Sequence, residues 1–378
     1  MKTVIKKATI GEKAAILDFI KVAYENTEQH KVLKRWAWEY LENPSLSNGK
    51  KKELPIWLAI KENRIVGQIC GIPVEIKTIN GMSKVVGGVD LIVLPACRGE
   101  GVGQRLIQAI AEHYGFYMAI SMSDITRRIY GRLEHYNDID AVSMYRRFVK
   151  LDKASVFRYF MKKTKNRLKL NLIARFVCRI FLLDSAISLA VNPVLWLRNV
   201  VERVTKRDTQ TVIREVERFG DEIDRLWNKA NHKFKVIVKR GKEYLNWRFS
   251  DCPLGYCSFI AMRDDEAKGY IVLRKPEPTE LNVGIIVDLF ADPDDHETIE
   301  DLICHAIQFF GTDVAMIECA TSQKEYQNGL SKFGFLKMEE TVPVVYCKND
   351  KLRNKLEQYK KNWFLTKADH DWDQLRPV

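Results

Sequence analysis

A glycine-rich turn in the first third of the chain has the residue types needed to hold a phosphate group. Residues 86–108 read VGGVDLIVLPACRGEGVGQRLIQ, an apolar strand followed by a proline, a turn and an amphipathic helix. The turn contains Arg98, Gly101 and Gly103 in the spacing R-x-x-G-x-G. A strand that runs through such a turn into a helix presents unpaired backbone N–H groups and the positive end of a helix dipole. The pattern therefore predicts a site for a diphosphate.

Two other phosphate-binding loops do not fit this spacing. A dinucleotide-binding loop has a third glycine where this chain has Gln104. A P-loop has Gly-Lys-Ser/Thr after the turn, where Gln104, Arg105 and Leu106 follow instead. A glycine-rich turn that binds nothing, which many folds contain, is the alternative interpretation.

The segment resembles the acyl-CoA-binding motif of the GNAT superfamily of N-acyltransferases. This resemblance implies that acyl-CoA is the co-substrate and that no metal takes part. It implies that the backbone of Leu91, Ile92 and Val93 pairs with the pantetheine arm and polarises the thioester oxygen. It also implies that the turn holds the diphosphate, through Arg98, Gly99, Glu100, Gly101, Val102, Gly103 and Gln104.

Asp90 and Tyr130 are the candidate catalytic residues. Asp90 lies eight residues before Arg98, where several GNAT branches have a carboxylate, and it is the only acid in an apolar strand. Burial would raise its pKa toward a value that suits a general base for the attacking amine. Tyr130 falls where the family has a tyrosine that donates a proton to the departing thiolate. A structural role is the alternative for both residues.

The C-terminal part of the chain repeats landmarks of the N-terminal part. Trp38, Gly67 and Asp90 recur, at offsets of 209, 202 and 198 residues, as Trp247, Gly269 and Asp288. Three landmarks in the same order at nearly constant offset indicate an internal duplication. The second copy has Asp294-Asp295-His296-Glu297 in place of the glycine-rich turn, and these carboxylates would repel a diphosphate. We therefore predict one acyl-CoA site, in the N-terminal half.

The order of elements predicts an α/β fold with two GNAT-like domains, each a mixed, mostly antiparallel sheet flanked by helices. The first domain, with the acyl-CoA site, is placed at residues 1–150. A basic helical connector follows at 151–233, then a degenerate second domain at 234–349. A C-terminal helix and tail occupy 350–378.

Charge and apolar residues are unevenly distributed along the chain. The net charge is +12, and from Lys150 to Arg214 there are fifteen Lys or Arg residues against four acids. A surface for phosphorylated ligands, RNA or anionic lipid, or a solvated connector, would explain this segment. The apolar stretch Ile180–Leu197 is interrupted by Asp184, Asn192 and Pro193, which argues against a membrane span and favours burial against the two flanking domains, with peripheral membrane contact as the alternative.

Cysteine spacing and the N-terminus indicate the compartment. Eight cysteines are scattered without a C-x-x-C pair, and no signal peptide is apparent. A reduced, cytoplasmic protein without a structural metal is the prediction.

The acceptor is the least readable part of the site. The two-domain layout is most similar to bacterial N-acyltransferases that modify nucleotide-linked amino sugars for surface polysaccharides. Such an acceptor needs aromatic faces and charged groups, and the candidates are Trp38, Trp247, Arg248, Asp369 and Asp371. Acylation of another small amine or a lysine, and a CoA-binding scaffold without catalysis, are the alternatives. A nucleic-acid partner is not expected, because an RNA-dependent transferase has little use for an intact CoA turn.

Overall fold

The computed structural model describes most of both halves. The described residues are 3–23, 33–46, 53–150, 192, 210–275 and 282–373. Most of the predicted connector, including the apolar stretch Ile180–Leu197 except for Asn192, lies outside them. Among the described residues no helix is long and apolar enough to cross a membrane.

Two mixed sheets with helices against them form the framework. The first sheet contains, in the described part of the chain, β1 (Val4–Thr9), β2 (Glu53–Lys61), β3 (Arg64–Thr78), β4 (Gly81–Val93), β5 (Phe116–Ala119), β6 (Tyr136–Asp138), β9 (Val236–Val238), β15 (Val344–Cys347) and β16 (Trp363–Phe364). The second contains β7 (Val142–Phe148), β8 (Val212–Val216), β10 (Cys257–Arg263), β11 (Glu266–Arg274), β12 (Val283–Ala291), β13 (Met316–Thr321) and β14 (Leu336–Thr341). The pairs β4–β5, β12–β13 and β9–β16 are parallel and the others are antiparallel. The predicted α/β class, with two mostly antiparallel sheets, is confirmed.

The helices cover these sheets with apolar faces. They are α1 (Lys13–Ala23), α2 (Leu33–Tyr40), α3 (Val102–Tyr114), α4 (Asp124–Tyr130), α5 (Asp221–Ala230), α6 (Lys242–Leu245), α7 (His296–Phe310), α8 (Lys324–Lys332) and α9 (Asp350–Gln358). Leu106, Ile107 and Ile110 recur at helical spacing on α3 and are buried against the first sheet. This packing fixes the N-terminus of α3 close to the end of β4.

Strands are exchanged between the two halves, and the C-terminal part also adds β9 and β16 to the first sheet. β7 pairs with β13 and β14 in the second sheet, and β15 pairs with β5 and β6 in the first. The exchange is reciprocal, as expected for two copies of one ancestral unit. Each sheet therefore contains strands from both sides of the domain limits predicted at residues 150 and 234. Those limits remain a prediction of where the two repeated units begin and end.

Residues 212–216, which the sequence places in the helical connector, form the edge strand β8 of the second sheet. β8 pairs with β10 in the same way that β1 pairs with β2. Its sequence VIREV has exposed and half-buried positions only. An edge strand without a buried face lacks the apolar alternation that identifies strands in a sequence.

The repeated tryptophans meet between the two halves. The rings of Trp38 and Trp247 are stacked with centroids 5.0 Å apart. Each indole Nε1 donates a hydrogen bond to the backbone carbonyl of the other residue, at 2.6 and 3.0 Å. The two side chains are only 2% and 4% exposed. Neither ring face is open to stack on an acceptor, so the structure gives both residues an interface contact instead of the predicted acceptor contact.

Glu318 ties the C-terminal segment to the second sheet. Its carboxylate accepts hydrogen bonds from Arg146 Nε at 2.8 Å and from Lys367 Nζ at 2.5 Å. Burial alone would raise the pKa of Glu318, but the two cations hold this pKa below its ordinary value. A folded-state pKa that is lowered makes the carboxylate stabilising at neutral pH.

The substitution Glu318→Gln should reduce the free energy of unfolding by about 3–5 kcal/mol at pH 7, because it removes the carboxylate that pairs with buried Lys367 and one of the two carboxylates that pair with Arg146. The contribution of Glu318 is present above the unfolded pKa of about 4.3 and is lost as the pH falls through the lowered folded pKa. Urea denaturation should therefore show a difference in the free energy of unfolding between the wild type and Glu318→Gln that is smaller at pH 3.5 than at pH 7. Glu340→Gln, which breaks the exposed ion pair with Lys337, is the control and should change stability by less than about 1 kcal/mol. An equal loss of unfolding free energy at both pH values would contradict the stabilising role of the ionised Glu318 carboxylate.

Candidate active site

The strands β4 and β5 separate at Gly88. Their ladder consists of two pairs, Val86 with Tyr117 and Gly87 with Met118. Strand β4 continues to Val93 and stays paired with β3 on its other side. Beyond Gly87 the edge of β4 that faces β5 has no strand partner within the described residues. An unpaired strand edge can hydrogen-bond an extended ligand, as the pantetheine arm requires.

The residues predicted to bind that arm lie on this unpaired stretch. Leu91, Ile92 and Val93 are half-buried. They follow a bulge in β4, at which the pairing with β3 shifts between Gln68 and Cys70. Bulges re-aim side chains and are frequent next to active sites. The strand therefore changes direction where the thioester would lie.

Asp90 occupies the bulge in a left-handed backbone conformation, with φ of +53°. Such a conformation is uncommon for a residue with a side chain and is held by its surroundings. The half-buried carboxylate accepts a hydrogen bond from the Tyr40 hydroxyl on α2 at 2.9 Å. The bulge thus fixes the direction of the predicted base.

The glycine-rich turn connects the end of β4 to α3. Gly99 and Gly101 have φ of +87° and +72°, and a Cβ at either would meet nothing within 4 Å. Glycine is needed there for backbone conformation, not for space. Within the described residues, the backbone N–H groups from Gly99 to Gln104 have no acceptor, and the first bonded one is Arg105, to Gly101 at 3.1 Å. Six consecutive N–H groups at a helix N-terminus form an anion site.

The side chains of the turn do not fill that site. Arg98 is exposed and donates from Nε to the Val93 carbonyl oxygen at 3.0 Å, which places the guanidinium at the end of β4. Glu100 is paired with Lys61 at 2.9 Å. Val102 is buried beneath the turn. The predicted diphosphate-binding residues therefore lie together on one open turn.

The corresponding turn of the second half is closed by the protein's own carboxylates. Asp295 caps α7 by accepting a hydrogen bond from the Thr298 N–H at 3.1 Å. Arg263 pairs with Asp295 at 2.6 Å and with Glu297 at 3.0 Å. Carboxylates occupy the place that a bound anion would take. This geometry supports the expectation of a single acyl-CoA site.

Asp288, the repeat counterpart of Asp90, is buried in a polar network. Its carboxylate accepts hydrogen bonds from Tyr270 at 2.7 Å and Thr366 at 2.8 Å, and it pairs with Arg240 at 3.3 Å. A carboxylate with these partners is structural. The two aspartates of the repeat are thus in different environments, one half-open and one sealed.

Tyr130 lies in a buried cluster of tyrosines beside the separated strands. Its hydroxyl hydrogen-bonds the hydroxyl of Tyr117, and that group lies so close to Gly88 that a Cβ there would collide with it. Burial raises the pKa of Tyr130 well above its ordinary value, and the bond with Tyr117 offsets this only in part. The phenol is therefore protonated at neutral pH and has a proton to donate. The sequence reasoning missed Tyr117, although it stands in the strand that pairs with Gly87.

The charged residues predicted to bind the acceptor instead hold the C-terminal segment, residues 365–373, in place. Arg248 donates to the backbone oxygen of His370 at 3.1 Å and to Asp373 at 2.5 Å. Asp369 pairs with Arg240 at 2.8 Å. Asp371 pairs with His370 at 2.5 Å. All of these side chains are buried, so their charges are used within the protein.

His370 brings this C-terminal segment to the active-site strand. Its Nε2 lies 2.8 Å from the carbonyl oxygen of Gly88, the residue at which β4 leaves β5. The sequence analysis did not single out this histidine. In the sequence, the indication that this region is functional was the run Asp369-His370-Asp371, which lies between Trp363 and Trp372. Only the fold places it next to a strand that is 282 residues away along the chain.

Comparison with known proteins agrees with this site. Residues 52–148 match the family model described as an acetyltransferase (GNAT) domain. This range contains the separated strands, the bulge, the turn and Tyr130. No curated protein sequence matches the chain.

Several solved structures share the fold over almost the entire chain. A GCN5-related N-acetyltransferase from Anabaena variabilis has a TM-score of 0.59 at 10% identity, covering 92% of this chain and 73% of its own. A probable N-acyltransferase from Enterococcus faecalis has a TM-score of 0.57 at 10% identity, with 93% and 74% covered. The N-myristoyltransferase of Saccharomyces cerevisiae with bound myristoyl-CoA has a TM-score of 0.56 at 11% identity, with 92% and 79% covered. At such identities the likeness shows the fold, and together with the domain match it supports a GNAT-type N-acyltransferase.

Proposed function

We propose that the N-terminal half transfers an acyl group from acyl-CoA to the amine of a nucleotide-linked amino sugar, while the C-terminal half is structural. One observation carries most of the proposal. The six unpaired N–H groups from Gly99 to Gln104 lie next to an unpaired strand edge, and acyl-CoA presents a diphosphate and then a pantetheine arm in that order. The second half has closed the equivalent turn.

The chemistry follows from the groups along this path. The backbone N–H groups of residues 91–93 polarise the thioester oxygen and stabilise the oxyanion that forms when the amine attacks. A C–N bond forms and the C–S bond breaks. The amine proton passes to Asp90, directly or through a water, and Tyr130 donates its hydroxyl proton to the departing thiolate.

Asp90→Asn should lower kcat by about 100-fold at pH 7 without changing the affinity for acyl-CoA, because the amide cannot accept the amine proton. Steady-state kinetics and calorimetric titration would measure the two quantities. Asp288→Asn is the repeat-matched control and should lower the melting temperature while leaving kcat per folded protein intact. A kcat within twofold of wild type for Asp90→Asn would make Asp90 structural as well.

The choice of acceptor rests on the sequence resemblance to amino-sugar N-acyltransferases. A thiol-release assay tests it, with acetyl-CoA and longer acyl-CoA esters up to myristoyl-CoA against amino-sugar nucleotides, polyamines and lysine peptides. The proposal expects the highest kcat/KM with an amino-sugar nucleotide. A polyamine or lysine as the preferred acceptor would replace it. Acyl-CoA binding without thiol release for any amine would indicate a non-catalytic scaffold.

A further inference from the structure

The C-terminal segment, residues 365–373, contacts the separated strands of both halves, since β12 and β13 pair only as far as Ile286 and then separate, as β4 and β5 do at Gly88. In the second half, Thr366 bridges to Thr321 at the end of β13, and its hydroxyl donates to Asp288 at 2.8 Å. Four residues later, His370 reaches Gly88 in the first half. The same segment thus lies at the separated strands of the second half, which we propose is structural, and at those of the first half, which we propose is catalytic.

Both ring nitrogens of His370 face acceptors. Nε2 is 2.8 Å from the Gly88 carbonyl oxygen, and Nδ1 is 2.5 Å from an Asp371 carboxylate oxygen. A neutral imidazole has one N–H and cannot satisfy two acceptors. The side chain is 6% exposed, so water cannot readily replace either partner. The Nδ1 contact with Asp371 is an ion-pair contact and not a hydrogen bond of good geometry, and together with the Nε2 bond to Gly88 this short distance favours the imidazolium.

Two carboxylates close to His370 favour that state. Asp371 lies on its own segment and Glu39 lies on α2. Arg35, also on α2, is close enough to interact with Asp371 and with Asp90 on β4. Burial alone would lower the pKa of His370, but Asp371, the Gly88 carbonyl and Glu39 together raise it above its ordinary value.

We propose that His370 is a positioning residue for acyl transfer, whose charged hydrogen bond to Gly88 holds β4 apart from β5. A charge-assisted bond is stronger than a neutral one and satisfies a carbonyl at the point where the ladder ends. It fixes the strand two residues before Asp90 and three before the first thioester-binding residue. The inference rests on the proposed acyl transfer, and it adds a residue from the C-terminal segment to that site.

The substitutions His370→Ala and His370→Gln test this role. Loss of the bond should lower kcat by about 10- to 100-fold, because small displacements of reacting groups have effects of that size. The KM for acyl-CoA should stay within about twofold, since the segment contacts β4 at Gly88 and the turn at residues 99–104 follows the far end of that strand. Gln can still donate one hydrogen bond to Gly88, so His370→Gln should retain more activity than His370→Ala.

Thr366→Val is the matched control for a loosened segment. It removes the hydroxyl that contacts Asp288 in the second half and leaves the Gly88 contact in place. It should lower the melting temperature and leave kcat per folded protein within about twofold. If all three variants lose activity only in proportion to the folded fraction, His370 is structural and the inference fails.

The pH profile separates positioning from packing. The charged form is the active one, and its pKa is raised, so kcat of the wild type should fall as the pH rises through that pKa. His370→Gln cannot titrate and should lack this alkaline limb. An identical alkaline limb in wild type and variant would overturn the proposal.

A measurement without turnover distinguishes this inference from the proposed function. In ¹⁵N-detected NMR of the full chain at pH 7, the His370 ring should show two protonated nitrogens, with signals that are absent from His370→Gln. A neutral ring at pH 7 would overturn the inference whatever the activity. If no amine is acylated with any acyl-CoA ester, the proposed function fails, and with it the positioning role, even where the ring is charged.

Discussion

Replacing Gly101 with aspartate should reduce the affinity for acyl-CoA by at least about 100-fold. The residue adopts φ of +72°, which strains any side chain. The new carboxylate would also lie among the N–H groups that receive the diphosphate. Two like charges about 4 Å apart near a protein surface repel by roughly 4 kcal/mol, and each 1.4 kcal/mol is tenfold in affinity. Calorimetric titration with acetyl-CoA would measure the change.

The second half offers a matched control for backbone strain. Gly255 is also exposed, has φ of +71° and has nothing within 4 Å of a built Cβ. Gly255→Asp should therefore lower the melting temperature about as much as Gly101→Asp and leave the dissociation constant unchanged. Equal losses of affinity in both variants would mean that the turn of the first half has no special role in binding.

Tyr130→Phe should lower kcat by about 100-fold or more while acyl-CoA still binds, because the thiolate then leaves without a proton donor. The ring and its packing are retained, so the fold should survive with a loss of about 1–3 kcal/mol for the unpaired Tyr117 hydroxyl. A single-turnover assay, which reports the chemical step, is the appropriate measurement.

Tyr326→Phe is the equivalent change in the degenerate half. The Tyr326 hydroxyl donates to the Ala291 carbonyl at 2.7 Å and accepts from the Ala291 N–H at 3.0 Å. Its removal should cost a similar amount of stability without lowering the single-turnover rate. A wild-type single-turnover rate in Tyr130→Phe would mean that the Tyr130 hydroxyl has no catalytic role and that the residue serves in packing.

The local parts of the fold and the backbone geometry of the candidate acyl-CoA site could be predicted from the sequence. The strand, the turn with Gly99 and Gly101 and the helix are adjacent along the chain, and left-handed glycines have a clear local signature. The duplication could be inferred because Trp38, Gly67 and Asp90 have counterparts in the same order in the second half. The strand, turn and helix depend on residues that are adjacent along the chain, and the duplication is detected from the similarity of the two halves.

The long-range parts could not be predicted. The exchange of β7 and β15 depends on pairing with strands of the other half, which are far away along the chain. Trp38, Trp247 and Arg248 have the residue types of a ligand site, yet burial assigns them to the interface and to the C-terminal segment. The contact of His370 with Gly88 joins residues 282 positions apart. No local pattern identifies such a pair.

A crystal structure of the protein with acetyl-CoA tests the central claim most directly. We expect one coenzyme per chain, with its diphosphate against the backbone N–H groups of residues 99–104 and its thioester beside residues 91–93. A diphosphate bound beside Asp294 and His296, or a coenzyme that leaves the turn after Arg98 empty, would contradict the account.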